Sequence, residues 1–251
     1  MKKIKKLLTI GLSVMLMLCA SIGLLSCQKK DLYELCENEY FIYSIEIETN
    51  KINICGFTDK ARNLEYLVIP DTIDGKKVCS IGYRGFPIPK ILEKYGNEAT
   101  LTFRSDMLKK IYIISEIEIV SQLMKNDIDI LGTDNVFYIS NTSNIIPSNY
   151  YRTKAFSTNK ATTANVSYDY NYENSQNDGY YWIDNYAYGE KIEYIPENPI
   201  RDGYTFGGWY KESECINAWN FETDTLPQAQ YDEQEREIYQ ETKLYAKWIN
   251  A

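Results

Sequence analysis

Alternation of apolar and polar positions predicts strands along most of this chain. From Tyr43 to Ile47 every second residue is apolar, and the pattern resumes at Ile52 after the turn-forming pair Asn50-Lys51. A period of two is typical of a strand with one buried face, and a short turn between two such runs predicts a hairpin. The chain therefore begins its ordered part with a β-hairpin.

The C-terminal third continues the same alternation with tyrosine and tryptophan in place of isoleucine. "ANVSYDYNY" (164–172) predicts a half-buried strand, and three further strands are predicted at "YGEKIEYIPENP" (188–199), "GYTFGGWY" (203–210) and "KLYAKW" (243–248). Gly207 and Gly208, inside an aromatic strand, predict a bulge or a close backbone approach. The predicted faces are Val166, Tyr168, Tyr170 and Tyr172 in the first strand, and Leu244, Ala246 and Trp248 opposite Lys243, Tyr245 and Lys247 in the last.

Composition divides the chain into two parts. Residues 40–148 are rich in isoleucine, whereas 15 of the 23 tyrosines follow residue 149. A Ser/Thr/Asn-rich stretch lies at the boundary between the two parts, and such stretches between periodic segments are typical of loops. We therefore predict two domains, 40–148 and 165–251, joined by a linker at 149–164.

The N-terminus has the layout of a secretory signal peptide, with four lysines followed by an apolar run. Leu24-Leu25-Ser26-Cys27 resembles the lipobox of bacterial lipoproteins, in which the Cys is linked to diacylglycerol after cleavage. This resemblance predicts a signal peptide at 1–26, lipid attachment at Cys27, a tether at 27–39 and a location on the extracellular face of the cell membrane. The alternative is an uncleaved membrane helix from Leu7 to Leu25, which is nearly long enough to span a bilayer.

Charge narrows the range of partners. The net charge of −8 becomes −12 without residues 1–26, because that segment carries four lysines and no acid. An acidic chain of this kind repels nucleic acid and anionic headgroups. The predicted partners are the lipid anchor in the cytoplasmic membrane and a host, matrix or glycan ligand, with no nucleic acid.

The absence of histidine excludes most catalytic chemistry. With no histidine in the sequence, the Ser-His-Asp and Cys-His mechanisms and histidine-ligated zinc are not available. Paired carboxylates are the remaining enzyme route, but nothing in their spacing indicates a catalytic cleft, so we predict no enzyme, no cofactor and no metal site. The carboxylates considered are Asp169, Glu173, Asp178, Asp184 and Glu190.

Cys36, Cys55, Cys79 and Cys215 show no metal-ligand spacing. A disulfide among the first three and unpaired buried thiols are both compatible with their positions.

"LVIPDTIDGKKVCSIGYRGF" (67–86) resembles one unit of the BspA-like leucine-rich repeat of bacterial surface proteins. The resemblance implies a solenoid of short strands in which Ile69, Val78, Ile81 and Phe86 are buried. Two degenerate units follow, "LKKIYIISEIEIVSQL" (108–123) and "DNVFYISNTSNIIP" (134–147). Because about three repeats are needed for a stable stack, the predicted solenoid is short.

The C-terminal part resembles the Listeria-Bacteroides repeat, also called the internalin B-type B-repeat. Its pieces stand here in order: Tyr188-Gly189 to Ile192, Pro196 to Pro199, Gly203 to Tyr210, Trp219 to Phe221 and Leu244 to Trp248. The resemblance implies a small β-grasp-like domain with a core of Phe206, Trp209, Phe221 and Trp248, to which the strand pattern adds Trp219. This copy departs from the family by an acidic insertion, "PQAQYDEQEREIYQE" (227–241), which we interpret as a solvated loop or hairpin.

The predicted fold is therefore mainly β, a short leucine-rich-repeat-like β-solenoid segment followed by a β-grasp-like B-repeat domain. The predicted function is that of a non-enzymatic cell-surface lipoprotein acting as an adhesion, interaction or spacer module. The alternative is capture of an extracellular glycan or other ligand through the tyrosine-rich segment, since aromatic rings offer rigid apolar faces with a polar tip. The candidate binding residues are Tyr180, Tyr181, Trp182, Tyr186 and Tyr188.

Overall fold

The structure, a computed structural model, describes residues 32–82, 88–96, 105, 107–117, 119–120, 135–139, 154–157 and 164–251. Tyr33–Ala251 forms one compact unit, and its fold is mainly β, as predicted. The predicted signal peptide and the lipid-attachment residue Cys27 lie outside the described residues. Within the described ranges, no helix combines the length and apolar character needed to cross a membrane.

Strands make up nearly all of the regular structure. The elements in chain order are β1 (Tyr33–Glu37), β2 (Phe41–Glu46), β3 (Ile52–Phe57), α1 (Asp59–Arg62), β4 (Tyr66–Ile69), β5 (Thr72–Ile73), β6 (Lys76–Ile81), α2 (Ile88–Tyr95), β7 (Lys110–Ile113), β8 (Ile119–Val120), β9 (Asn135–Tyr138), β10 (Lys154–Ser157), β11 (Val166–Asp169), a 3₁₀ turn (Asn177–Gly179), β12 (Tyr180–Asp184), β13 (Tyr204–Tyr210) and β14 (Thr242–Asn250).

The first sheet has the order β1-β2-β3-β6-β5, and β8 pairs with β6. The predicted hairpin is confirmed, because β2 and β3 pair antiparallel across a turn in which Asn50 has a φ of 59°. A second tight turn joins β5 to β6, where Asp74 and Gly75 take φ values of 50° and 71°. Asp and Gly tolerate this left-handed region better than most residues, which explains their presence in hairpin turns.

The second sheet is entirely parallel and has the order β10-β9-β7-β4. One face of it, which includes Ile69, Ile111 and Val136, packs into the same core as the first sheet. The other face, which includes Tyr112, Phe137 and Phe156, packs against the C-terminal part. Parallel sheets are generally covered on both faces, and here each face is covered by a different part of the chain.

An aromatic ladder runs across the second face of this sheet. Tyr112, Phe137 and Phe156 occupy the same register position on three adjacent strands. Their rings stack with centroid distances of 5.1 Å between Tyr112 and Phe137 and 4.9 Å between Phe137 and Phe156. The ladder gives the C-terminal part a flat aromatic surface on which to pack.

The positions predicted to be buried in the leucine-rich unit are confirmed where they are described. Ile69, Val78 and Ile81 are fully buried, and Phe86 lies outside the described residues. The degenerate units supply β7, β8 and β9. The resemblance to the leucine-rich repeat itself stays a prediction.

The third sheet belongs to the C-terminal part and has the order β12-β11-β14-β13. Its first and last strands, β11 and β14, lie side by side and parallel, and the outer strands pair antiparallel with them. Two parallel central strands from the two ends of the domain fit the β-grasp-like arrangement that the resemblance implied. Trp209 and Leu244 are buried, whereas Phe206, Trp219, Phe221 and Trp248 are partly buried and pack against this core.

The predicted bulge and the predicted faces of the last strand are confirmed. The register between β13 and β14 shifts between Phe206 and Trp209, and Gly208 has a φ of 107°. Leu244 and Ala246 are fully buried on the predicted inner face. The acidic insertion is an exposed hairpin-like loop with one bridge between Tyr231 and Glu237.

Four expectations need correction. The segment 188–199 forms no strand, since Pro196 and Pro199 lack the N–H groups that a central strand donates. β11 is buried on both faces, because Ser167 is covered as well as Tyr168. The predicted tether contains β1 and the predicted linker contains β10, so both segments contribute strands to sheets. The remaining predicted domain limits stay predictions.

Candidate functional site

The five predicted binding residues lie in three different environments. Tyr180, Tyr181 and Trp182 belong to β12, a strand that the sequence did not predict. Trp182 is only 4% exposed and packs against Tyr112, with ring centroids 4.7 Å apart. A ring buried in this way has no free face for a ligand, so Trp182 is removed from the candidate set.

Tyr181 and Tyr180 are occupied by contacts within the fold. The ring of Tyr181 stacks on Trp209 at 5.7 Å, and its hydroxyl donates a hydrogen bond of 2.5 Å to the carbonyl of Glu197. The Lys243 ammonium lies 5.2 Å from the centre of the Tyr180 ring. Both tyrosines therefore have structural partners, and neither is among the residues that line the cavity formed by the last two candidates.

Tyr186 and Tyr188 line a cavity of about 740 Å³. This volume falls within the roughly 300–1,000 Å³ typical of small-molecule sites. The cavity lies where the end of β12, the start of β11, the acidic insertion and β10 meet. Its lining residues are Phe156, Asn165, Asn185, Tyr186, Ala187, Tyr188, Ala229, Tyr231, Glu237 and Tyr239.

Hydrogen bonds hold the inner wall of this cavity in place. The Asn165 side chain accepts a hydrogen bond of 3.0 Å from the Tyr186 N–H and donates one of 2.7 Å to the Tyr186 carbonyl. The Asn185 side chain accepts from the Asn165 N–H at 3.3 Å. The two amides therefore fix the loop that carries Tyr186 against the start of β11.

The outer wall is the acidic insertion, anchored by two tyrosine hydroxyls. Tyr239 donates a 2.7 Å hydrogen bond to the carbonyl of Ala164, and Tyr188 accepts one of 2.7 Å from the Gln240 N–H. Burial, followed by the nearby Glu241 carboxylate, raises the pKa of Tyr239 to about 12. Despite this anchoring, Tyr231 is 61% exposed and Tyr239 is 50% exposed, so part of each ring remains open to solvent.

Sequence reasoning missed the contribution of the insertion and of β10. The tyrosines of the insertion were interpreted as part of a solvated loop, although two tyrosines within an acidic segment are a weak aromatic signal. Phe156 stands in a Ser/Thr/Asn-rich stretch that predicts a loop, so the sequence gives no indication that it lines a cavity.

Beside the cavity lies a buried charge network that joins the two parts of the chain. The Lys110 ammonium on β7 lies 2.7 Å from the Asp184 carboxylate at the end of β12, and Tyr112 donates a 2.8 Å hydrogen bond to the same carboxylate. The Asn185 N–H donates a third hydrogen bond, of 2.7 Å. The Lys110 ammonium also lies 3.3 Å from the centre of the Tyr186 ring.

Burial dominates the ionisation of this pair. It raises the pKa of the Asp184 carboxyl, against the lowering effect of the Lys110 ammonium. It also lowers the pKa of Lys110, against the opposing effect of the Asp184 carboxylate. Each charge therefore depends on the other, which is the expected behaviour of a desolvated ion pair.

The carboxylates considered for catalysis do not form a pair. Asp169 lies 3.1 Å from the Lys243 ammonium and Asp184 is bound to Lys110. Glu173, Asp178 and Glu190 are exposed. Across the described ranges, no group of three Cys, Asp or Glu residues is placed to hold a metal ion. Cys36, Cys55, Cys79 and Cys215 are thiols that are not joined in a disulfide.

Comparison with known proteins supports the assignment of the C-terminal part. Residues 165–247 match the family model of the Listeria-Bacteroides repeat domain. A comparison with curated proteins found no match to the chain. The matching family is a surface-associated repeat domain and is not an enzyme family.

Proposed function

We propose that this protein is a bacterial surface lipoprotein that works without catalysis, as a rigid module for adhesion, interaction or spacing. The observation that carries the proposal is the match of residues 165–247 to a surface-associated repeat domain. The lipobox-like sequence ending at Cys27 supports attachment through lipid. Two acyl chains on one residue give lasting attachment to a bilayer.

Rigidity supports a spacing or presenting role. The C-terminal part shares its core with the aromatic ladder of the second sheet, and the Lys110–Asp184 ion pair lies within the same contact. A joint with a shared core and a desolvated ion pair resists bending far more than a polar linker does. A ligand-binding surface on the C-terminal part is therefore held in a fixed orientation relative to the second sheet.

The experiment is mass spectrometry of the native protein combined with protease treatment of intact cells. We expect Cys27 to carry diacylglycerol, and we expect the chain to be cut by protease added outside the cells. Cys27→Ser is the control variant, in which the lipid signal is absent and the protein is found in the medium or with an intact leader. An unmodified Cys27 in a protected, cytosolic wild-type protein contradicts the proposal.

A second candidate function, capture of an extracellular ligand, is favoured by one observation. Two of the predicted binding residues, Tyr186 and Tyr188, line the cavity described above. The side chains that line this cavity indicate which class of ligand it can bind.

A further inference from the structure

We propose that the cavity between the acidic insertion and β10 binds a neutral carbohydrate. This inference deepens the proposed interaction role and rests on it. Of the five residues predicted from the sequence, only Tyr186 and Tyr188 line this cavity, and the other lining residues were not predicted. The central residues are Tyr188, Tyr231, Glu237 and Tyr239. Tyr186 lines the cavity, but the Lys110 ammonium covers one face of its ring.

The aromatic residues of the lining match the apolar faces of sugar rings. Four tyrosines and Phe156 contribute rings to one cavity, and two of the tyrosines are at least half exposed. Aromatic rings are rigid and lose little conformational entropy on binding, and a tyrosine adds a polar tip. The hydroxyls of Tyr188 and Tyr239 are already bonded to the backbone, so these rings are oriented before a ligand arrives.

The polar residues of the lining match hydroxyl groups. Asn185 and Glu237 supply an amide and a carboxylate at the cavity wall, and these are groups that donate to or accept from neutral hydroxyls. The Asn165 side chain holds the wall in place through its hydrogen bonds to the Tyr186 backbone. Five of the ten lining residues are aromatic and polar atoms form much of the wall. This mixture suits a ligand that has both apolar faces and hydroxyl groups.

Charge selects against anionic ligands. Among the lining residues that the structure describes there is neither lysine nor arginine. The insertion that forms the outer wall, 227–241, carries five acidic residues and one basic residue. The one cation of the insertion, Arg236, is paired with Asp232, so the field of the outer wall disfavours a sulfated or sialylated sugar or a phosphate.

Two segments from opposite sides of the repeat build the site. Its outer wall is the insertion by which this copy departs from the repeat pattern, and Phe156 on its opposite side comes from β10 in the first part of the chain. The cavity therefore forms only where the repeat carries this insertion and is packed against the second sheet.

The test is binding of the full chain to defined sugars, measured by titration calorimetry. The probes are chitotriose, mannotriose and lactose as neutral sugars, sialyl-lactose and a heparin disaccharide as anionic ones, and a trilysine peptide as a cationic one. We expect at least one neutral sugar to bind and the anionic sugars to bind at least about tenfold more weakly. Tyr231→Ala and Glu237→Gln should each weaken that binding about tenfold, as expected for loss of one well-formed contact.

Tyr204→Ala is the matched control, because Tyr204 is an exposed tyrosine on β13 that does not line the cavity. It should leave sugar binding unchanged, and all three variants should keep the wild-type melting curve. No binding of any neutral sugar, preferential binding of the anionic or the cationic probes, or equal loss of binding in the Tyr204 variant would overturn the inference. Any of these results leaves the proposed surface role intact, because that role fails only in the separate test on Cys27.

Discussion

Replacing Lys110 by methionine removes one partner of the buried ion pair that joins the two parts of the chain. The Lys110 side chain is 9% exposed and the Asp184 side chain is fully buried. Methionine keeps most of the apolar stem but leaves the carboxylate without its cation. Breaking a buried pair from one side costs about 3–5 kcal/mol.

The lower end of that range is expected here. The Asp184 carboxylate retains hydrogen bonds from the Tyr112 hydroxyl and the Asn185 N–H after the substitution. We therefore expect Lys110→Met to lower the free energy of unfolding by about 3 kcal/mol at pH 7. The double variant Lys110→Met/Asp184→Asn should lose less than the sum of the single variants, with a coupling of about 1–3 kcal/mol.

Lys109→Met provides the matched control on the neighbouring residue. Lys109 lies 3.1 Å from Glu65, and both side chains are about half exposed. Exposed pairs of this kind contribute about 0–1 kcal/mol. The difference between the two lysine variants therefore isolates the effect of burial.

The loss in the Lys110 variant should depend on pH. Burial already raises the pKa of Asp184 in the folded protein, and removing the ammonium raises it further. A folded-state pKa above the unfolded value contributes stability below the unfolded value, about pH 4, and this contribution is lost as pH rises through the folded value. The loss relative to wild type should therefore be smaller near pH 4 than at pH 7.

Urea unfolding of the full chain at both pH values, followed by tryptophan fluorescence, measures these quantities. Equal losses for the Lys110 and Lys109 variants, additive losses in the double variant, or a loss that is the same at pH 4 and pH 7 would each refute the reasoning.

Two further predictions concern the core. Trp182→Ala should lower the free energy of unfolding, measured in urea, by about 3–5 kcal/mol, because the Trp182 ring is buried against Tyr112 and Tyr194. A loss below about 1 kcal/mol would show that the ring is not in the core. Burial raises the pKa of the Cys55 thiol to about 12, so Cys55 should resist iodoacetamide at pH 8 in the folded chain. The partly exposed Cys36 and Cys215 should be alkylated under the same conditions. Peptide mass spectrometry measures the extent of alkylation, and alkylation of Cys55 as fast as that of Cys215 would contradict the prediction.

The strands that follow a simple alternation could be predicted from the sequence. β14 shows why, since Leu244 and Ala246 face the core while Lys243 and Lys247 face outward, so the residue types report the two faces directly. The same holds for the hairpin of β2 and β3, where Asn50 marks the turn.

Two strands, β10 and β12, escaped the same reasoning. β12 contains three consecutive aromatic residues, Tyr180, Tyr181 and Trp182, because different neighbours cover its two faces and no alternation is required. β10 has a single apolar anchor, Phe156, in a polar stretch, and its place in the sheet depends on pairing with β9. Neither signal is visible within a short window of sequence.

The candidate site was predicted only in part for a related reason. Tyr186 and Tyr188 were identified, but their neighbours in the cavity come from distant segments. The Lys110–Asp184 pair joins residues separated by 74 positions, and a lysine in an isoleucine-rich strand gives no indication of its partner. Such pairings depend on how the sheets pack.

The aromatic ladder also bears on how this architecture evolved. A repeat whose core lies entirely within itself can be copied, deleted or moved between genes without destabilising the rest of the protein. Here, deletion of the chain that follows β10 would expose the stacked rings of Tyr112, Phe137 and Phe156 to water. The result would be an exposed apolar patch of the kind that promotes aggregation. In this chain the C-terminal repeat therefore cannot be removed by itself without uncovering that apolar surface.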